Sequence, residues 1–267
     1  MAFSFENIEH GVVHKGRKVI IYGREKVGKS PLAASAPNSL LIKTEDRVDH
    51  IDCAKTPLIT TMEQMIEVLR YVSEDDHKFE TIIIDTVDEL EPMLHKYLCN
   101  KVGARHILDE KNSQTNFHNG LKVLAPNGWR DFLLMLDRIR LKRKVNIIMV
   151  MHAVVQSVNL PDTEPYDRYS MKIEKNSLPI LMGWADIIGF YHKKILFTHE
   201  EIGKDETRAI PVIEDDNRWL EVSGNSESYN AGNSYGLNDM FVPKNKLAET
   251  MQYLLNANNF IKKNDEV

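Results

Sequence analysis

The chain has 267 residues, 42% of them hydrophobic, which is enough for a sizeable buried core, and we expect one domain with elaborations. Its formal net charge of -5 argues against a protein that binds nucleic acid through its overall charge, so any DNA contact must come from a local basic patch. Cys53 and Cys99 are the only cysteines, and their spacing is not that of metal ligands, which argues against a disulfide framework or a zinc site. We therefore expect the protein to work in a reducing cytosol.

The first predicted elements are a strand at 18–22 and a short helix at 32–36, joined by a glycine-bearing loop. The loop has the pattern G-x-x-x-x-G-K-S, whose defining residues are Gly23, Gly28, Lys29 and Ser30. Strand, glycine loop and helix in this order is the context that a phosphate-binding loop requires. The alternative is a surface turn that happens to contain a lysine.

The phosphate-loop reading assigns a role to each part of this segment. Glycines let backbone N–H groups turn towards phosphate oxygens, and the start of the helix adds unpaired donors. Lys29 would reach the terminal phosphates and the Ser30 hydroxyl would ligate Mg²⁺, while Pro31 is tolerated in the first helical turn. The predicted nucleotide-binding residues are Gly23, Arg24, Glu25, Lys26, Val27, Gly28, Lys29, Ser30 and Pro31.

The next apolar run, 39–42, leads into Thr44, Glu45 and Asp46. Hydrolysis needs a carboxylate that polarises a water in line with the γ-phosphate, and the end of a strand adjacent to the metal-binding strand is a suitable place. Glu45 is the candidate and Asp46 the alternative. Spacing alone is equally consistent with two acids in a solvated turn.

Alternation of strands and helices predicts an α/β protein with a mostly parallel sheet flanked by helices and ligands at the carboxyl ends of its strands. The predicted buried strands are 19–22, 39–42, 81–84, 145–150 and 186–191. Two sets of apolar residues at helical spacing predict helix faces: Met62, Met65, Ile66 and Leu69, and then Trp129, Phe132, Leu133 and Leu136.

Polar residues follow two further strands. Asp85 ends the run 81–84, which would place it beside the phosphate loop to hold a water of the Mg²⁺ shell; the alternative is an aspartate that opens the next turn. Asp88 and Glu89 would cap and charge the start of the following helix. His152 ends the run 145–150 and could hydrogen-bond the γ-phosphate, although a histidine at a strand end is more often structural.

The remaining segments are less regular. Residues 103–128 and 153–177 are predicted as long irregular loops of the kind that is functional or mobile. Short extended pieces are expected at 195–198 and 208–213, a flexible loop at 223–236 and an amphipathic helix at 246–255.

These pieces, in this order, make the chain resemble the RecA/RadA-type ATPase core. It is more closely similar to the phage-encoded core-only P-loop ATPases, AAA-domain nucleotide-binding proteins that include single-strand annealing recombination proteins. The segments that carry the resemblance are GREKVGKS, LLIKTEDRVDHID, TIIIDTVDEL, NIIMVMHAVVQ, YDRYSMKI, LMGWADIIGF and NSYGL. The resemblance implies a RecA-like core at 1–191 and, at 192–267, C-terminal strands, a flexible loop and a final helix, in a single domain.

The resemblance also implies roles for particular residues. The acid after the strand next to the phosphate-loop strand acts on the attacking water, which points to Glu45, and a metal-binding aspartate followed by a hydroxyl residue matches Asp85 and Thr86. His152 stands where RecA has a glutamine that senses the γ-phosphate. The segment 154–177 corresponds to a loop that contacts single-stranded DNA, and its candidate DNA-binding residues are Arg168, Lys172 and Lys175.

One departure concerns the inter-subunit finger. Ile213 and Asp215 stand where RecA has lysines that act on the neighbouring subunit's nucleotide. The finger is therefore unassigned, and the alternatives are Lys193, Lys194, Arg208 and Arg218.

The resemblance predicts ATP and Mg²⁺ as cofactors. Its predicted partners are single-stranded DNA, further copies of the chain in a ring or filament, and a single-strand binding protein. No apolar run approaches the length of a signal-peptide core or a membrane span, so we expect a protein of the bacterial host cytosol, encoded by a phage or prophage.

Three functions compete at this point. The leading hypothesis is an ATPase stimulated by single-stranded DNA that anneals or pairs strands in phage recombination. The second is a nucleotide-gated scaffold or loader of phage replication that does not touch DNA, which the acidic net charge keeps open. The third is a small-molecule kinase, which is disfavoured because no arginine-rich lid follows the core. GTP is disfavoured as the nucleotide because no N-K-x-D motif occurs.

Overall fold

The central sheet is made of short β-branched runs that are buried on both faces. The computed structural model describes residues 15–159, 161, 164–194, 196–203, 206–212 and 218–256. Its strands are β1 (Lys18–Gly23), β2 (Ser39–Lys43), β3 (Ala54–Lys55), β4 (Thr81–Asp85), β5 (Asn146–Val158), β6 (Tyr166–Met171), β7 (Ile187–Lys193), β8 (Leu196–Gly203), β9 (Glu206–Val212), β10 (Arg218–Glu221), β11 (Gly232–Asn233) and β12 (Met240–Phe241). Its helices are α1 (Lys29–Ala34), α2 (Met62–Glu74), α3 (Val87–Val102), α4 (Ala125–Arg143), α5 (Leu178–Trp184) and α6 (Leu247–Leu255).

The strand order in the main sheet is β12-β10-β7-β1-β5-β4-β2-β3. The six strands from β7 to β3 in this order run parallel, and the antiparallel strands β6, β10, β11 and β12 are added to them. The five predicted buried strands therefore exist, and the predicted α/β fold with a mostly parallel sheet flanked by helices is confirmed. Parallel strands leave all their carboxyl ends at one edge, which is where the candidate residues converge.

Helices cover both faces of this sheet because successive strand residues point to opposite sides. Ile20 and Ile82 pack in one core cluster with α2, α3, α4 and α5. Their chain neighbours Ile21 and Ile83 pack in a second cluster with α1 and α6. All four side chains are fully buried, so every strand residue here contributes to a core layer.

The two helices predicted from apolar spacing are α2 and α4. Helix α2 begins with a capping box in which the Thr61 hydroxyl accepts a hydrogen bond from the Gln64 backbone and the Gln64 side chain bonds the backbone of Thr61. In α4, the indole of Trp129 is completely buried and donates to Glu91 at 3.2 Å. The apolar stripes are thus core faces, as their spacing predicted.

Three of the loop predictions are wrong in part. The segment 153–177 is mostly a β-hairpin, because β5 continues to Val158 and pairs with β6. The predicted loop 103–128 ends earlier, since a π-helical turn at Gly120–Leu124 leads into α4. The segment 223–236 is held by β11 on β7 and by the Asn233 side chain, which bonds the backbone of Val222 and Leu237.

In the C-terminal part β10, β11 and β12 extend the main sheet, whereas β8 and β9 form a separate two-stranded sheet. Strands β8 and β9 confirm the predicted extended pieces, and α6 confirms the predicted final helix, which packs with α1. Ile213 and Asp215, which stand where RecA has its inter-subunit lysines, lie outside the described residues. The single-domain division stays a prediction, since residues 1–14 and 257–267 are also outside them. Within the described ranges, no helix combines the length and apolar character needed to cross a bilayer.

Candidate nucleotide site

The phosphate-loop segment has a backbone that two of its residues can adopt only as glycine. A Cβ on Gly23 would lie 2.0 Å from the carbonyl oxygen of Tyr191, so the end of β1 can approach β7 only without a side chain. Gly28 has a φ of 102° at the N-terminal boundary of α1, a left-handed conformation that side chains disfavour. The loop between them therefore turns sharply into the helix that begins at Lys29.

Lys29 is held inside this loop. Its side chain is nearly buried, and Nζ donates to the carbonyl oxygens of Gly23 at 3.0 Å and Arg24 at 2.9 Å. Burial lowers the pKa of this ammonium, and the nearby carboxylates of Asp85 and Asp88 oppose that effect. A buried cation with no direct ion-pair partner among the residues that the structure describes is well suited to receive an anionic ligand.

Asp85 ends β4 as a fully buried carboxylate, and its peptide bond to Thr86 is cis. Burial raises its pKa to about 6, although the Ser30 hydroxyl and Lys29 act in the opposite direction. Neither carboxylate oxygen has a hydrogen-bond partner of good geometry within the described residues. Buried polar atoms of this kind need a ligand or water, and a carboxylate beside a hydroxyl fits Mg²⁺, which takes few protein ligands and keeps several waters.

No group of three or more histidine, cysteine or acidic side chains in the described ranges could hold a metal ion by itself. Ser30 and Asp85 stay the predicted metal-binding residues, and an ion that binds with a nucleotide takes its other ligands from phosphate and water.

A cavity of about 380 Å³ opens next to the loop, at the carboxyl ends of the parallel strands. Its lining includes Gly28, Lys29, Ser30, Glu45, Thr86 and His152. Arg47, Val48 and His50 extend it on the side of the segment after β2, and the sequence analysis did not identify them. A signal for them was available, because they directly follow the predicted catalytic acid.

The structure separates the two acids after β2. Glu45 lines the cavity, whereas Asp46 lies 3.4 Å from Lys43, which also binds Asp49 at 2.7 Å. Strand β2 is adjacent to β4, with Lys43 opposite Asp85, as the chemical argument for Glu45 requires. It is not adjacent to β1, however, because β5 and β4 lie between them.

His152 occurs directly opposite Gly23 in the register of β5 and β1. Its backbone N–H and its Nδ1 both contact the buried Asp88 carboxylate, at 2.9 and 2.7 Å. Burial alone would raise the pKa of Asp88, but these hydrogen bonds from His152 outweigh it and lower that pKa. Asp88 therefore stays charged and orients the His152 ring, a role that the predicted helix-capping function missed.

The family model described as "AAA domain" matches residues 15–233. The chain belongs to this AAA domain family. Its phosphate loop and cavity are those of a P-loop ATPase. No curated protein sequence matches the chain.

Two solved structures resemble this AAA domain. The RadB recombinase has a TM-score of 0.39 at 12% identity, covering 68% of this chain and 76% of that one. The flagellar accessory protein FlaH from Methanocaldococcus jannaschii has a TM-score of 0.36 at 13% identity, covering 78% of this chain and 86% of that one. Both likenesses are remote.

Arg218, one of the residues considered as an inter-subunit finger, contacts the AAA domain's own phosphate loop. Its Nε donates to the carbonyl oxygen of Val27 at 2.9 Å. It reaches this place because β10 pairs with β7, and β7 pairs with β1. The contact joins residues 191 positions apart, so only the sheet topology could reveal it.

We expect Arg218→Ala to lower ATP affinity about tenfold, because a charged donor that holds the loop backbone is lost. Isothermal titration calorimetry with ATP and Mg²⁺ measures the change. Lys96→Ala, an exposed cation on α3, is the matched control and should bind ATP like the parent. Equal ATP affinity in the two variants would show that the Val27 contact does not support the loop.

The three predicted DNA-binding cations lie on or after β6, but they do not form one exposed patch. Lys175 is exposed, and Lys172, 56% exposed, lies 3.9 Å from the Asp88 carboxylate. Arg168 is half-buried on β6, opposite Gln156, and its Nε has no hydrogen-bond partner within the described residues. Lys172 thus connects the hairpin to the pair of Asp88 and His152.

Proposed function

We propose that this P-loop ATPase binds and hydrolyses ATP with Mg²⁺ and acts on single-stranded DNA, in the annealing or pairing of strands during phage homologous recombination. The observation that carries the ATPase part is the convergence of Lys29, Glu45 and His152 on one cavity, with Asp85 at the end of the strand between β2 and β5. Each of these side chains has a distinct chemical task.

The phosphate loop would bind the nucleotide. Backbone N–H groups of residues 23–30 would surround the phosphates, and the Lys29 ammonium would exchange its two carbonyl contacts for terminal phosphate oxygens. Ser30 and Asp85 would hold Mg²⁺, which supplies charge neutralisation at the phosphates when it is bound.

Glu45 is the proposed general base for hydrolysis. Its carboxylate lines the cavity without the lysine partner that engages Asp46, so it is available to accept a proton from the attacking water. His152 has Nδ1 engaged by Asp88, which leaves Nε2 as the ring nitrogen for a phosphate contact. The Asp88 carboxylate holds the ring in place for that contact.

The DNA-acting part depends on β5. This strand carries His152 at the nucleotide site and continues to Val158, and along this extension it pairs with β6, where Gln156 lies opposite Arg168. A change at the γ-phosphate could therefore reach the hairpin through one continuous strand. The resemblance to RecA-type proteins supports a contact between this segment and single-stranded DNA.

The test is ATP hydrolysis with and without single-stranded DNA, measured together with DNA binding. We expect hydrolysis without DNA and a clear stimulation by it. ATP hydrolysis with neither DNA binding nor stimulation would reject the DNA-acting function and leave the ATPase intact.

A nucleotide-gated scaffold or loader is the second candidate. The hairpin exposes Val154 and Val155, at 37% and 62%, and these side chains suit a protein partner better than phosphates. The net charge of -5 points the same way. Capture of a partner protein by the ATP-bound form, without DNA binding, would favour this function.

Replacing Arg168, Lys172 and Lys175 together by alanine tests the hairpin as a DNA contact. We expect weaker single-stranded DNA binding and a slope of log K against log salt that is flatter by about 0.7 per contact removed, because cations that neutralise phosphates are lost. Fluorescence anisotropy at several salt concentrations gives the slope.

The matched control removes three exposed cations of α3 and α4, Lys96, Arg138 and Lys142. ATP binding should persist in both triple variants. Parental DNA affinity and parental slope in the first variant would move the DNA site elsewhere, and the cations between Lys101 and Lys122 would be tested next.

A further inference from the structure

A second cavity lies beside the phosphate loop. It has a volume of about 450 Å³, and residues 24–27 of the loop form part of its lining. The rest comes from Tyr169 on β6 and from Phe190, His192 and Lys193 on β7. Glu25 and Lys26 line both this cavity and the nucleotide cavity, so the loop is a wall shared by the two.

The far wall is a group of aligned rings. Phe190 is almost completely buried and stacks with both Tyr169 and His192. Its ring centroid lies 5.0 Å from that of Tyr169, with an angle of 23° between the ring planes. The corresponding values for His192 are 4.8 Å and 14°. Tyr229 stacks with Phe190 as well, at 5.2 Å and 22°. Tyr169 and His192 are only half-buried, so aromatic surface remains accessible at the cavity.

Cations surround these rings. Arg24 and Lys26 are exposed on the loop, and Lys193 follows His192 at the end of β7. Glu25 is the one acid among the residues described as lining the cavity. Glu221, which bonds His192 Nε2 at 3.1 Å, adds a second carboxylate near the rings. The three cations still outnumber these two acids, in a chain whose net charge is -5.

Rings and cations together suit one chemical class of ligand. A single-stranded nucleic acid offers flat unpaired bases that stack on aromatic side chains and phosphates that bind cations, whereas a duplex keeps its bases inside the stack. We propose that this ring cavity binds an unpaired base of single-stranded DNA, with the flanking phosphates on Arg24, Lys26 and Lys193. The inference rests on the proposed function, and it places the base contact at Tyr169, Phe190 and His192, apart from the phosphate contacts predicted for Arg168, Lys172 and Lys175.

The shared loop gives this site a consequence for ATP turnover. Strand β6 carries Tyr169 into the ring cavity, and Val155 of β5 lies opposite it in the hairpin register. DNA in the ring cavity would contact the loop on one side while the nucleotide contacts it on the other. DNA binding would then act on hydrolysis through the loop residues that line both cavities.

The variant that tests the ring wall is Tyr169→Leu. The backbone of Tyr169 makes three hydrogen bonds: its N–H donates to the Ser228 carbonyl, and its own carbonyl accepts from the Asn230 N–H and the Tyr22 hydroxyl. Leucine keeps these bonds and most of the apolar volume but removes the π-face. Tyr71→Leu, at a ring 51% exposed on α2, is the matched control.

The experiment compares two labelled oligonucleotides of equal length, oligo-dT and the same backbone with abasic residues, by fluorescence anisotropy. We expect the parent and Tyr71→Leu to bind oligo-dT on the order of tenfold more tightly than the abasic strand, and Tyr169→Leu to bind both with equal, weak affinity. Lys193→Gln should weaken both strands alike and flatten the salt slope by about 0.7 relative to a Lys142→Gln control.

Each other result overturns the inference in a recognisable way. If Tyr169→Leu discriminates between the two strands as the parent does, the base binds elsewhere while the proposed function stands. If Tyr169→Leu changes only self-association in sedimentation velocity, the cavity receives a side chain from a second copy. If the parent binds neither strand, the DNA-acting function fails, and this site fails with it.

Discussion

Lys29→Ala is expected to lower ATP turnover by about a hundred- to a thousandfold, as removal of a preorganised charged donor at a reacting group does. Nζ lies in the loop between the carbonyls of Gly23 and Arg24, and the helix that follows positions it. Alanine keeps the helix but leaves no ammonium for the terminal phosphates. Steady-state phosphate release and calorimetric ATP binding measure the two effects.

The control for Lys29→Ala must separate chemistry from folding. The lost side chain is nearly buried, so the melting temperature of the variant is measured beside that of the parent. Lys96→Ala removes an exposed lysine elsewhere and should leave turnover unchanged. A folded Lys29→Ala protein with parental ATP affinity and turnover would contradict the phosphate-loop assignment.

Glu45→Gln is expected to keep ATP bound but to reduce hydrolysis by about a hundred- to ten-thousandfold, the range typical of a general base. The amide preserves size and hydrogen bonding but is too weak a base to take a proton from water. Single-turnover measurements with pre-bound ATP distinguish slow chemistry from weak binding.

Asp46→Asn is the matched variant, one residue along the chain. Asp46 pairs with Lys43 at the surface, so its loss should change turnover little. If Asp46→Asn stops hydrolysis while Glu45→Gln does not, the roles of the two acids are the reverse of those proposed.

The phosphate loop and the candidate acids could be predicted because they depend on local chemistry. Glycines at positions 23 and 28, with Lys29 and Ser30 after them, favour a turn into a helix whatever the rest of the chain does. Glu45, Asp85 and His152 each follow an apolar run, and parallel strands bring such ends to one edge. The same reasoning located both amphipathic helices, because their 3.6-residue period is a property of neighbouring residues.

Contacts between distant parts of the chain depended on the tertiary structure. The pairing of Asp88 with His152 and the contact of Arg218 with Val27 follow from strand order and register, which local patterns leave open. The proposal of Glu45 rather than Asp46 also depends on the tertiary structure, because Glu45 lines the cavity and Asp46 pairs with Lys43. The hairpin of β5 and β6 was read as a loop because its polar residues resemble turn chemistry, and only pairing across the hairpin shows it to be a sheet. The ring cavity joins residues from β6, β7 and the phosphate loop, so it exists only once folding has brought these three segments together.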